Sequence, residues 1–143
     1  MKEISILLVE DNEGDIVLTM EALEDARIIN KITVKKDGAA ALDHLYDLAA
    51  TNKDYLPDLV LLDINLPKID GKEVLMQIKT HEILRKIPVV MLTTSSSEFD
   101  ILESYNSHAN CYIIKPVDLN KFFNIVKAIE NFWVTVVKLP TKE

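Results

Sequence analysis

Leu59-Val60-Leu61-Leu62 and Val89-Val90-Met91-Leu92 are unbroken apolar runs, each announced by a nearby proline, Pro57 or Pro88. A strand with one wet face alternates apolar and polar residues, whereas a strand covered on both faces has no need to. Runs this short do not make helices on their own. The two segments therefore restrict the chain to folds in which central strands lie inside a sheet flanked by helices. The first run ends at Asp63, and Pro67 stops any continuation. Asp63 is thus a carboxylate delivered by a buried strand to the carboxyl edge of the sheet, where open α/β sheets bind their ligands.

The rest of the chain alternates in kind. Ile4 to Val9 reads as a strand that stops at Glu10-Asp11-Asn12. Asp15 is the expected N-cap of a helix whose apolar stripe is Ile16, Leu18 (or Thr19), Met20, Leu23 and Ala26. Ile32-Thr33-Val34 is β-branched and reads as a short strand, and Asp37-Gly38 as a turn. A helix follows over 39–50, then a loop over 51–54. Asp70-Gly71 closes the loop after Asp63, and Val74, Leu75 and Ile78 mark a third helix. The polar run 93–97 leads to a helix over 98–107 with a thin stripe. Cys111-Tyr112-Ile113-Ile114 is the fifth strand, and Asp118 caps a last helix from Leu119 to about Val134. Five β-α units of this length predict an α/β fold, doubly wound and flavodoxin-like, (βα)5, with parallel sheet order 2-1-3-4-5. The 143 residues suit one domain, 1–143, with a C-terminal helical extension over about 130–143 and no output domain.

The net charge of −7 counts against a nucleic-acid surface. The single cysteine, Cys111, forbids an intrachain disulfide and fits a reducing compartment, so the expected location is the cytoplasm. No signal peptide opens the chain, and no apolar run approaches a membrane span.

In the expected strand order the ends of β1 and β3 are neighbours, which brings Glu10 and Asp11 beside Asp63. Three carboxylates in one pocket repel, and desolvation sharpens the repulsion. A divalent cation between them resolves this. Oxygen donors with no nearby His or Cys favour Mg²⁺ or Mn²⁺. The plainer alternative is that Glu10-Asp11 opens a loop and caps a helix. At the same edge Thr93 ends the fourth strand and offers a hydroxyl, and Lys115 ends the fifth and offers a cation, either a solvated strand end or the counter-charge of the pocket.

Four blocks at strand ends resemble the receiver domain of two-component response regulators: Leu8-Val9-Glu10-Asp11, Leu61-Leu62-Asp63-Ile64-Asn65-Leu66-Pro67 with Asp70-Gly71, Pro88 to Thr93, and Tyr112-Ile113-Ile114-Lys115-Pro116. The resemblance implies that Asp63 accepts a phosphoryl group from the phosphohistidine of a sensor histidine kinase, with Mg²⁺ as cofactor. It implies Asp11 as a direct metal ligand, Glu10 as a direct or water-mediated one, and the backbone carbonyl of Asn65 as another. Lys115 pairs with phosphoryl oxygens, the Thr93 hydroxyl moves onto the phosphoryl group, and the Tyr112 rotamer follows Thr93. The Lys115-Pro116 bond is cis in the family. The first acid here is glutamate where aspartate is frequent, which alters metal geometry slightly. Autodephosphorylation is expected to be slow and to depend on Asn65 and Ser95. Beyond this self-catalysed chemistry no enzymatic activity is expected.

Output is expected through protein contacts. Phe122, Phe123, Ile125, Val126, Ile129, Phe132, Trp133, Val134, Val136, Val137 and Leu139 place apolar side chains on more than one face of a C-terminal helix. A helix covering only its own sheet needs one stripe, so the surplus points to a homodimer, the alternative being a tail folded back on its own domain. Asn12-Glu13-Gly14-Asp15 and the Phe132-Trp133 to Lys138-Leu139-Pro140 tail resemble stand-alone regulators paired with phytochrome-type histidine kinases. Two other readings compete. A pseudo-receiver that only binds would lack Asp11, Asp63, Thr93 or Lys115, and none is missing. A Mg²⁺-dependent phosphohydrolase would carry a second aspartate two residues beyond its nucleophile, where this chain has Asn65.

Overall fold

The structure is a computed structural model, and it describes residues 4–25, 30–93, 111–114 and 124. The strands are β1 (Ile4–Val9), β2 (Asn30–Lys35), β3 (Leu59–Asp63), β4 (Val89–Thr93) and β5 (Cys111–Ile114). The helices among the described residues are α1 (Glu13–Asp25), α2 (Gly38–Thr51) and α3 (Gly71–Thr80). Every strand pairing is parallel, and the order is β2-β1-β3-β4-β5, as the alternation of elements predicts.

Period-2 alternation along the strands divides the core into two layers. Leu7, Val9, Val60, Leu62, Val89 and Met91 pack with Leu42 and Leu45 of α2 and Val74, Leu75 and Ile78 of α3. Ile6, Leu8, Leu59, Leu61, Val90 and Leu92 pack on the other face with Ile16 and Leu23 of α1. This is why the apolar runs are continuous: both parities are buried. Each such side chain contributes about 1.5–3 kcal/mol relative to staying in water.

Two expectations about α1 are corrected. The N-cap is Asn12, not Asp15: the Asn12 Oδ1 accepts the Asp15 N–H at 2.9 Å, and the Asn12 carbonyl accepts the Ile16 N–H at 2.9 Å. Asp15 sits in the first turn, where its charge suits the positive end of the helix dipole. The buried stripe is Ile16, Thr19 and Leu23, while Leu18 and Met20 are 48% and 40% exposed. Leu18 lies roughly 200° around the helix from Ile16, whereas Thr19 lies one turn on. The first helical residue of α2 is Gly38, so Asp37-Gly38 is a helix start and not a free turn.

Asp37 and Asp70 do the same job. Asp37 Oδ1 accepts the Ala40 N–H at 2.7 Å, and Asp70 Oδ1 accepts the Glu73 N–H at 3.0 Å. The glycine after each cap lies against the β3–α3 loop. A Cβ on Gly38 would stand 2.1 Å from the Ile69 carbonyl oxygen, and one on Gly71 would stand 2.1 Å from that of Asp63. Neither position admits a side chain without moving that loop.

The predicted helix over 98–107, the last helix apart from Asn124 (helical and exposed) and the tail beyond it lie outside the described residues, as do Ser95, Lys115 and Pro116. Thr93 and Tyr112 take their expected places in β4 and β5, while their side-chain roles also lie outside what is described.

Candidate functional site

β1 and β3 are partners from Ile6↔Leu59 to Val9↔Leu62, so Glu10 and Asp63 follow at the same height. Glu10 shares the parity of Leu8, and Asp63 that of Leu61, the two being partners in register. Both carboxylates therefore emerge on the same face of the sheet. Burial is nearly complete, at 0% exposed for Glu10 and 3% for Asp63, while Asp11 in the loop beyond β1 is exposed. One carboxylate oxygen from each of Glu10, Asp11 and Asp63 lies within 4.8 Å of the other two. The expected acidic cluster is thus assembled.

Backbone hydrogen bonds fix the strand ends. The Glu10 N–H donates to the Lys35 carbonyl at 3.0 Å, and the Ile64 N–H to the Leu92 carbonyl at 3.0 Å. Glu10 Oε2 accepts the Asn12 N–H at 3.3 Å, and Asp63 Oδ1 accepts the Asn65 N–H at 3.2 Å. Asn65, the residue expected to offer its carbonyl, is therefore tied by its own amide to the Asp63 side chain.

The β3–α3 loop is closed by the Gly71 N–H donating to the Ile64 carbonyl at 2.8 Å. Its far end rests on the start of α2. The Pro67 carbonyl accepts the Gly38 N–H at 3.5 Å, and Lys68 Nζ lies 3.6 Å from Asp37 Oδ2. The Ala40 N–H that Asp37 caps holds its carboxyl below the usual carboxylate range, and Lys68 adds to the effect. Lys68 itself has φ of 69°, and among the described residues it alone is a non-glycine in that region. Such a conformation costs on the order of 1–3 kcal/mol. Nothing in Pro67-Lys68-Ile69 advertises it, and sequence reasoning missed it. The two Asp-Gly pairs were the available signal for the close backbone approaches.

Three buried or clustered oxygen donors at a parallel sheet's switch point suit a hard divalent cation, by donor type and by charge. Mg²⁺ and Mn²⁺ both meet that description. Among the described residues, no helix is long and apolar enough to cross a membrane.

A five-stranded sheet of this order, with an aspartate at the end of its central strand and acids beside it, has the architecture of receiver-type signalling domains. The chain belongs to the response regulator receiver domain family, matching it over residues 6–127. It is 44% identical over 135 residues to the response regulator Rcp1 of Synechocystis sp., a match covering 94% of this chain and 92% of Rcp1. The crystal structure of the phosphorylated cyanobacterial phytochrome response regulator RcpA is similar, at TM-score 0.75 and 45% identity, covering 94% of this chain and 96% of RcpA. The Mn²⁺-bound form of Rcp1 superposes at TM-score 0.73 with 43% identity, covering 93% of this chain and 96% of that one. The protein is a response regulator of two-component phosphorylation signalling, related to phytochrome response regulators.

Proposed function

We propose that Asp63 is the phosphoryl acceptor and that the donor is the phosphohistidine of a sensor histidine kinase of phytochrome type. A carboxylate oxygen of Asp63 attacks phosphorus; the new O–P bond forms as the P–N bond breaks, and the imidazole leaves with its nitrogen electron pair and takes a proton. The observation that carries this reading is the meeting of a nearly buried Asp63 with Glu10 and Asp11 at the edge of the central strand.

Mg²⁺ is the cofactor we assign, held by Asp11, by Glu10 directly or through water, by Asp63 and by the Asn65 carbonyl. When bound, it neutralises charge on the transferring group. Glu10 is wholly buried, and its Oε2 accepts the Asn12 N–H at 3.3 Å, so it gives up little side-chain freedom on binding. Lys115 pairs with the phosphoryl oxygens, the Thr93 hydroxyl donates to them, and Tyr112 follows Thr93. Those three roles rest on the family resemblance and on the placing of Thr93 and Tyr112 in β4 and β5. We read residues 1–143 as a receiver with a C-terminal helical extension over about 130–143, pairing with a second copy through that region and acting in the cytoplasm. Its chemistry is self-catalysed phosphorylation and slow autodephosphorylation.

Intact mass after treatment with a small-molecule phosphodonor and Mg²⁺ tests the acceptor. Wild type gains one phosphoryl group and Asp63→Asn gains none. Equal labelling of the two proteins, or none of either, rejects the assignment.

A further inference from the structure

We propose that Lys68 is a positioning residue for the cation-binding loop, an inference that rests on reading Asp63 as acceptor and Asn65 as a cation ligand. The Pro67 carbonyl accepts the Ile69 N–H at 2.9 Å across Lys68, whose φ is 69°. Together these make a γ-turn of the positive-φ kind, which is rare and strained. Glycine would take that conformation at no steric cost, yet the chain places lysine there. Strain of this kind persists only where the surroundings impose it.

The surroundings are the start of α2. The Lys68 ammonium lies 3.6 Å from Asp37 Oδ2, while Asp37 Oδ1 caps Ala40. Gly38 lies so close beneath Ile69 that a Cβ there would be 2.1 Å from the Ile69 carbonyl oxygen. The turn is therefore gripped by its side chain on one side and by backbone on the other. Asn65 lies three residues upstream, on the same loop, with its N–H on Asp63 Oδ1. A gripped turn holds the Asn65 carbonyl in one place before the cation arrives, and preorganisation of that kind raises affinity without adding a contact. Lys68 thus couples the β2–α2 junction to the acceptor loop.

The test separates positioning from stability because the two respond in opposite senses. In Lys68→Gly the γ-turn is no longer strained, but its side-chain grip is gone. In cation-free buffer this variant is expected to melt no lower than wild type, while calorimetric titration with Mn²⁺ gives an affinity about three- to tenfold weaker. Asp37→Asn keeps a side-chain oxygen for the Ala40 N–H and loses the charge, and is expected to weaken Mn²⁺ by about two- to fivefold. Lys68→Arg restores the pair and the affinity. Lys68→Gly binding Mn²⁺ as wild type does overturns the inference and leaves the acceptor reading standing. Affinity and melting temperature falling together in that variant also overturns it, by reducing Lys68 to a structural role. Wild type that binds no Mn²⁺ overturns the site reading and the inference with it.

Discussion

Glu10 and Asp63 leave neighbouring parallel strands one position beyond Val9 and Leu62, which are partners in register. Their carboxylates emerge on the same face, and both are almost wholly removed from solvent. A slip of the β1–β3 pairing by one residue would send one acid to the opposite layer of the core. The site is therefore a consequence of register as much as of residue identity.

Divalent cation should stabilise the protein through these acids. At a Mg²⁺ concentration near 100 times its dissociation constant, linkage adds about 2.7 kcal/mol to unfolding. Thermal melts in Mg²⁺ and in chelator should differ for wild type and converge for the double substitution Glu10→Gln with Asp63→Asn.

Gly71 should prove intolerant of the smallest side chain. In Gly71→Ala the new Cβ falls on the Asp63 carbonyl and on Ile64 Cα, backbone that cannot step aside cheaply. A loss of about 1–3 kcal/mol in urea unfolding is expected, with slower labelling by a phosphodonor because Asp63, the proposed acceptor, is displaced.

Leu61 is fully buried between Leu8 and Val90 on adjacent strands, in the layer that α1 covers. Leu61→Ala should cost about 2–5 kcal/mol by chemical denaturation, the range for a rigid core site that collapses only partly.

His81 ends α3 and supports the turn that follows. Its Nδ1 accepts the N–H groups of Ile83 at 3.1 Å and Leu84 at 3.2 Å, and its ring stacks on Tyr46 at 5.5 Å between centroids. His81→Ala leaves both amides without that acceptor and should lower stability by about 1–3 kcal/mol, read from the denaturation midpoint.

His44 gives the stability a pH dependence of known sign. Partial burial and then the nearby Lys35 lower its pKa from 6.5, with Asp47 opposing. The unfolded chain therefore binds the proton more readily, so the stability linked to neutral His44 is present above pH 6.5. It is lost as pH falls through the lower folded-state value. Urea midpoints measured between pH 7.5 and 5.5 should fall less steeply in His44→Gln than in wild type.

Strand positions were legible because the physics behind them is local. Leu59 to Leu62 had to be covered on both faces, and Pro57, Pro67 and Pro88 bounded the runs. The acid cluster followed from strand order, which the β-α alternation implied. The start of α1 is not fixed by the sequence because Asn12 and Asp15 are both good caps, and the folded chain uses Asn12. Hydrophobicity favours Leu18 and Met20 as inward residues, yet angular position gives the inward place to Thr19, the alternative to Leu18 that the stripe also allows. The turn at Lys68 was invisible because its conformation is imposed by α2, a partner some thirty residues earlier in the chain.

The β1–β3 seam has a kinetic consequence. It joins residues separated by the whole of α1, β2 and α2, and closing a loop of that length costs entropy before any contact repays it. The acids cannot converge until the seam has closed, so an ion bound between them reports on that event alone. If the seam closes after the folding barrier, Mg²⁺ will slow unfolding and leave the folding rate unchanged. If it closes before the barrier, Mg²⁺ will speed folding instead. A pair of chevron plots, with and without the ion, would place the assembly of this site in time.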